Sequence, residues 1–450
     1  MQADGVRVLR NLSFSAGLII CRYCSVLLVL LCGTLAADDY DALFRDAAAL
    51  SSQAKYKEAI RLYESALKVR PGAPEALNNL AVMYYAAGEY QSAWETASRV
   101  LHMPQAFASA QLVAGLSAIH LSRPADAIGP LHEVLKQDPG NRDALLGLAS
   151  AHVAQKHFPE AVAIYEEQTK RSPSDSDAWY GLAISNESMA ETASKKLAQM
   201  PGGTAYSKRL LGEFLLARGD QRLADEAFGQ SDASIAPSSP AAAQQFQLAK
   251  SLAKASEHAF EHFINLAPDS WQAHLFLGDV NRQQRKFPDA LAEYQKAATM
   301  QPQNPAALLG MGTVYWELGD FDRAEQVLRD TLRLNPDALS AIFELANIQV
   351  RRHRDADAVP LLRRYLAAQP DAAMAHADLG RAYLHLNDVE NAARELQLAL
   401  AADTQGDIHY QLSLALRKLG RNQEADEAVR ASNEIRQSEL KREQRLRLKQ

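Results

Sequence analysis

The segments Tyr56-Lys57-Glu58-Ala59-Ile60, Phe158-Pro159-Glu160-Ala161-Val162 and Phe287-Pro288-Asp289-Ala290-Leu291 are versions of one another. Setting their alanine at position 20 of a 34-residue unit places unit starts at 40, 74, 108, 142 and 176. After an irregular middle the starts resume at 271, 305, 339 and 373, with a last one near 406. No single unit of this length can bury its own apolar face. A chain with such a period therefore stacks its units into an array, each packed on its neighbours, instead of folding around one core.

The residue types at fixed positions say what each unit is. Position 20 is alanine in Ala59, Ala93, Ala127, Ala161, Ala224, Ala290, Ala324, Ala358, Ala392 and Ala425. Position 8 is small throughout: Ala47, Ala81, Gly115, Ala149, Ala183, Gly212, Gly278, Gly312, Ala346, Gly380 and Ser413. Small residues at two points of a unit let two helices approach closely, and larger ones such as Leu80, Tyr165, Leu277 and Tyr294 fill the space between. Position 32 is proline in Pro71, Pro139, Pro173, Pro302, Pro336 and Pro370. Proline there ends the second helix, because it cannot continue the hydrogen-bond ladder. Gly88, Gly219, Gly319 and Gly420 fall in the turn between the two helices.

This pattern resembles the tetratricopeptide repeat family over nearly all of residues 40–432. The resemblance implies an all-α fold: a right-handed α-α superhelix, or solenoid, of antiparallel helix pairs, with a concave groove lined by the first helices. The middle departs from the rhythm. Residues 176–270 hold a 66-residue duplication, in which Leu182, Ala183, Ala193, Gly212 and Ala224 recur as Leu248, Ala249, Ala259, Gly278 and Ala290. Within each copy the first part has no turn glycine or proline, and apolar residues run on as Leu248, Leu252, Ala255, Ala259, Phe263 and Leu266. Unbroken helical periodicity predicts that 177–199 and 242–266 each form one long helix, or a pair joined without a real turn, facing the array through apolar stripes of this kind. A loop is expected at 231–240, rich in serine and proline.

The domain plan is then a signal peptide over 1–37, an N-terminal array over 38–175, the irregular middle over 176–270, a C-terminal array over 271–432 and a charged C-terminal helix over 433–450. Arg7, Arg10 and Arg22 lead the first segment, Ser25 to Leu31 is mostly apolar, and Gly33 to Ala37 offers small residues to a peptidase. The competing reading is an uncleaved anchor over Phe14 to Ala37, which Arg22 interrupts. All three cysteines (Cys21, Cys24 and Cys32) lie in this segment, so cleavage would leave no thiol chemistry. Long units of this kind resemble those of secreted bacterial repeat proteins, which implies an extracytoplasmic place, periplasmic or secreted.

The net charge of −6 does not suit nucleic acid, which favours a basic face. No phosphate-binding glycine loop, HExxH or GxSxG is present. His258 and His262 stand four apart beside two glutamates, but no third ligand is identifiable, so no metal site is expected. His353-Arg354-Asp355 and Arg218-Gly219-Asp220 match short catalytic and adhesive signatures, yet both fall on inter-helix turns. The expected function is therefore a non-catalytic, cofactor-free scaffold binding a protein or peptide; the alternative is an envelope assembly factor for polysaccharide export or outer-membrane machinery. Membrane contact is expected only through an uncleaved N-terminal anchor. The family's groove positions give Arg282, Trp316, Phe343, Asn347, Arg351, Arg381, His385, Tyr410, Arg417 and Lys418 in the C-terminal half. Arginines and aromatics together suit a segment carrying acidic residues; the alternative is a merely solvated face.

Overall fold

The computed structural model describes residues 39–104, 107–217 and 239–447, with Gln221, Ala224, Asp225, Ala227 and Phe228 between. The expected signal segment, most of the serine-proline loop and the Arg218-Gly219-Asp220 turn lie outside the described residues. Every regular element among the described residues is helical. The first part carries α1 (39–52), α2 (Tyr56–Val69), α3 (Pro74–Ala86), α4 (Tyr90–Leu101), α5 (Ala108–His120), α6 (Pro124–Gln137), α7 (Arg142–Ala154) and α8 (Phe158–Arg171). Then follow α9 (Ser176–Gln199), α10 (Gly203–Ala217) and α11 (Pro240–Leu266). The C-terminal part is α12 (Trp271–Gln283), α13 (Phe287–Met300), α14 (Pro305–Glu317), α15 (Phe321–Leu334), α16 (Leu339–Arg351) and α17 (Asp355–Ala368). It ends with α18 (Ala373–His385), α19 (Val389–Ala399), α20 (Asp407–Lys418) and α21 (Asn422–Arg447). The chain divides into two compact units, one ending at Leu266 and one starting at Ala267, so the irregular middle belongs with the N-terminal array. Within each unit, successive helices pack in pairs.

The small residues do what the period implies. Every position-20 alanine named above is completely buried. A β-carbon on Gly278 would stand 2.5 Å from the Tyr294 ring, and one on Gly310, in the next repeat, would stand 2.5 Å from the same ring. The large residue at position 24 thus plugs into position 8 of its own unit and position 6 of the next. Leu131 repeats this between Gly115 and Gly147.

The turns are equally regular. Position 15 adopts a left-handed backbone in Gly88, Gly319 and Gly420, with φ of 78°, 74° and 75°. The same conformation is forced on Ala54, Ser122, Lys156, Arg285, His353 and Asn387. Side chains with a β-carbon reach it only at a cost, so the array imposes the turn even where glycine is missing. At the other end of each second helix, Arg70, Asp138, Ser172, Gln301, Asn335 and Gln369 all have φ near −132°. Each precedes a proline, whose ring drives the residue before it out of the helical region.

The two long helices form as expected, with 24 residues in α9 and 27 in α11. They pack antiparallel on each other, which the sequence did not say. Ser256 Oγ donates to the Ala183 carbonyl at 3.0 Å, and Gln245 Nε2 to that of Ala193 at 3.1 Å. The expected stripe is rotated. Leu248 and Leu266 are exposed and Leu252 is half-buried, while Ala242, Phe246, Ala249, Ser256, Ala259, Phe260 and Phe263 are buried. The reason is local: a close helix pair favours alanine and a serine whose hydroxyl bonds back to the facing helix, so the contact face carries few leucines. The C-terminal boundary also shifts. α21 runs unbroken from Asn422 to Arg447, so the charged tail continues the last repeat's second helix instead of starting at 433. No described helix is long and apolar enough to cross a membrane.

Candidate binding face on the first helices

In the C-terminal unit the first helices of successive repeats, α12, α14, α16 and α18, lie side by side. Their positions 6, 9, 12 and 13 therefore meet across repeats, at sequence separations near one period. Thr313 Oγ1 donates to Glu344 at 2.9 Å. Trp316 Nε1 donates to Asn347 Oδ1 at 3.1 Å, and Asn347 Nδ2 donates to Asp378 Oδ2 at 2.7 Å. Each of these pairs is 31 residues apart. Arg282 bonds Glu317 at 2.8 Å, and Arg381 bonds Asp378 Oδ1 at 2.7 Å. Tyr294 donates to Asp279 at 2.7 Å. A polar strip thus runs over four repeats; all but one of its links tie a first helix to the next or to its own second helix, and Arg381 with Asp378 lies within α18.

Burial governs the acids of this strip. It pushes the Glu344 carboxyl up to about 7, against the opposing bond from Thr313 and the field of Arg282. It raises Asp279, which Tyr294 and Arg282 pull back, and Asp378, which Asn347 and Arg381 pull back. Desolvation disfavours a charged carboxylate, so these groups sit closer to neutrality than surface acids.

The expected site residues divide accordingly. Arg282 and Arg381 are committed to Glu317 and Asp378. Asn347 is buried between Trp316, Arg351 and Asp378, so it orders the strip and presents little surface of its own. Phe343 packs against Tyr365 at 5.0 Å between ring centres, with the planes tilted by 33°. His385 Nδ1 lies 3.1 Å from Asp355. Lys418 bonds Asn387, Arg417 bonds Asp426, and Tyr410 is exposed beneath the Arg436 guanidinium. Arg351 donates through Nε to Asn347 Oδ1 at 2.8 Å and lies over the Phe321 ring. Among the described residues it is the arginine of this set with no carboxylate in ion-pair contact. Arg351 and the half-buried Trp316 share the Asn347 oxygen, so one buried amide holds an aromatic ring and a guanidinium side by side.

Three family models, each described as Tetratricopeptide repeat, match residues 118–184 and 281–348, residues 44–110, 241–305 and 343–408, and residues 406–439. Together they span most of the chain. The chain belongs to the tetratricopeptide repeat family. Similar curated proteins include the Anaphase-promoting complex subunit 7 of Arabidopsis thaliana, 29% identical over 27% of this chain and 22% of its own length. The Protein CTR9 homolog of the same plant is 33% identical over 22% of this chain and 9% of its own. The chain thus spans less than a quarter of the length of these curated relatives. Among solved structures, MamA from Desulfovibrio magneticus RS-1 is 23% identical, covers 38% of this chain and 97% of its own, and gives a TM-score of 0.35. YrrB, titled a TPR protein with an unusual peptide-binding site, is 18% identical, with 39% and 92% coverage and a TM-score of 0.36.

Elsewhere in this tetratricopeptide repeat protein, groove positions differ in kind. Asn78 is buried and accepts from Ser109 at 2.7 Å, again 31 residues away. The His258 and His262 rings lie 4.6 Å apart, centre to centre. The Trp179 indole stacks on His262 at 4.4 Å and meets His258 edge-on.

Proposed function

We propose that the first-helix face of the C-terminal unit binds a segment of another protein, extended or helical, and that Trp316 and Arg351 anchor it. A tetratricopeptide repeat protein is a protein-interaction scaffold in general. The choice of face rests on one observation: Asn347 pre-orders an indole and a guanidinium without neutralising the guanidinium. Tryptophan and arginine carry binding energy well when they are held rigid, since less side-chain freedom is lost on association. An acidic side chain on the ligand suits Arg351, which can offer a carboxylate its terminal nitrogens. Arg282 and Arg381 play a supporting part, because each already holds an acid. On this reading the protein is a binder and not a catalyst, and residues 1–37 export it from the cytoplasm.

The test uses the partner captured from native extract and its affinity for purified variants. Arg351→Gln and Trp316→Ala should each weaken binding about tenfold or more while the helical spectrum stays intact. Raising salt should weaken the parent more than Arg351→Gln, because exposed charges are screened over roughly 8–10 Å. Unchanged affinity in both variants would remove this face from the account.

A further inference from the structure

Several repeats of this array send the side chain at position 13 of the first helix back to the preceding repeat's turn or the start of its second helix. His120 stacks on Tyr90 at 3.9 Å, Arg351 lies over Phe321, and Lys418 bonds Asn387. His385 follows the rule and reaches Asp355, with Nδ1 3.1 Å from both carboxylate oxygens. One member of this corner is not required by the rule. His353 occupies the left-handed turn position with φ of 54°, where three other repeats carry glycine and none of the other described ones carries a histidine. Its ring stands 5.0 Å from that of His385, centre to centre.

We propose that His353, Asp355 and His385 form a binding site for a divalent transition-metal ion of the zinc class. Each offers one ligand atom, and the three atoms lie within 4.8 Å of one another. In tetrahedral zinc coordination, bonds of about 2.1 Å set donor atoms about 3.4 Å apart. Small side-chain rotations close that gap. Two imidazoles and one carboxylate are a donor set of borderline softness, suited to zinc, cobalt, nickel or copper and poorly suited to calcium or magnesium. Water would complete the coordination on the exposed side of the two histidines. Asp355 supplies the anionic ligand from a nearly buried position, its side chain 6% exposed. The neighbouring arginines do not compete for it: Arg352 pairs with Asp322 and Glu325, and Arg354 pairs with Glu325. Because His385 belongs to the next repeat, a bound ion would cross-link two successive repeats of the C-terminal unit, next to the strip that holds Trp316 and Arg351.

The experiment titrates zinc alone into untagged full-length protein, stripped with chelator. Cys21, Cys24 and Cys32 are replaced by serine, since thiolates would bind zinc independently. Calorimetry should show one zinc per chain, and cobalt in its place should give visible absorption bands. His353→Gly should weaken zinc binding at least tenfold. It should fold as the parent does, since glycine occupies the same turn at positions 88, 319 and 420. His385→Ala should abolish binding, and the double variant His258→Ala/His262→Ala should leave it unchanged. Zinc held as tightly by His353→Gly as by the parent overturns the proposal. So does a loss that follows His258 and His262 instead, or an absence of binding in the parent at millimolar zinc.

Discussion

Replacing Gly278 with alanine sets two effects of known size against each other. In a helix interior, alanine is favoured over glycine by about 1 kcal/mol. Here the new methyl would stand 2.5 Å from two ring atoms of Tyr294. That ring is wholly buried, its hydroxyl is tied to Asp279, and Gly310 of the next repeat also packs against it, so closely that a β-carbon there would stand 2.5 Å from the ring. It has nowhere to retreat. Overpacking of this kind costs about 1–3 kcal/mol, and a wholly buried ring pressed by two repeats belongs at the upper end. The net loss should be about 2 kcal/mol. A repeat array does not unfold as one two-state body, so the readout is local: hydrogen exchange of peptides covering 271–317 should speed up about thirtyfold, since 1.4 kcal/mol is a factor of ten. Equal or stronger protection in Gly278→Ala would refute the reasoning, because helix propensity would then outweigh the close approach on which the stacking depends.

Further outcomes follow from the same structure. Phe263→Ala, at a residue 1% exposed between the two long helices, should cost about 3–5 kcal/mol. Leu252→Ala, only half-buried, should cost about 1 kcal/mol; urea midpoints of the two variants that coincide would contradict the rotated stripe. Asp175 caps α9 and accepts two bonds from Arg142 and one from Gln168. Burial alone would raise its carboxyl, but these bonds hold it below the usual range. Its contribution is therefore present at neutral pH and is lost as pH falls below about 4. Asp175→Asn should destabilise the N-terminal unit by about 1–3 kcal/mol at pH 7, and by less at pH 3, in paired denaturation curves. Glu344 has the opposite sign. Its folded carboxyl is raised to about 7, so its ionisation erodes stability as pH climbs from about 4.5 to 7. Glu344→Gln should stabilise the C-terminal unit by about 1–2 kcal/mol at pH 8 and by almost nothing at pH 4, read by thermal melts at both values.

Much of this architecture was legible because steric demands leave their mark at fixed positions. The alanines of position 20, the small residues of position 8 and the prolines of position 32 each answer one local requirement. The first-helix starts at 74, 108, 142, 176, 271, 305, 339 and 373 follow from them directly. The long helices were legible too, since each lacks any residue that would turn the chain. Their mutual packing was not, because small residues such as Ala249 and Ser256 carry the contact while hydropathy points to Leu248 and Leu252. The candidate face was legible only as a set of residues. Position 9 or 12 named Arg282, Asn347 and Arg381, but not the acids that hold them. A signal was available. Thr313 with Glu344, Trp316 with Asn347, Asn347 with Asp378, and Asn78 with Ser109 are complementary polar residues 31 apart. The corner of His353, Asp355 and His385 escaped the linear reading for the same reason. Two of its members look like a turn, and the third lies 30 residues beyond Asp355, in the next repeat.

The claim that the first-helix face of the C-terminal unit receives another protein is tested most directly by site-specific photocrosslinking in native extract. A crosslinker placed at Arg351 reports on that face. One placed at Arg333, well exposed on the second helix α15, reports on the opposite side of the repeat. The account predicts a discrete crosslinked partner from position 351, lost on adding Trp316→Ala, and none from position 333. A partner captured from position 333 and absent from position 351 would contradict it.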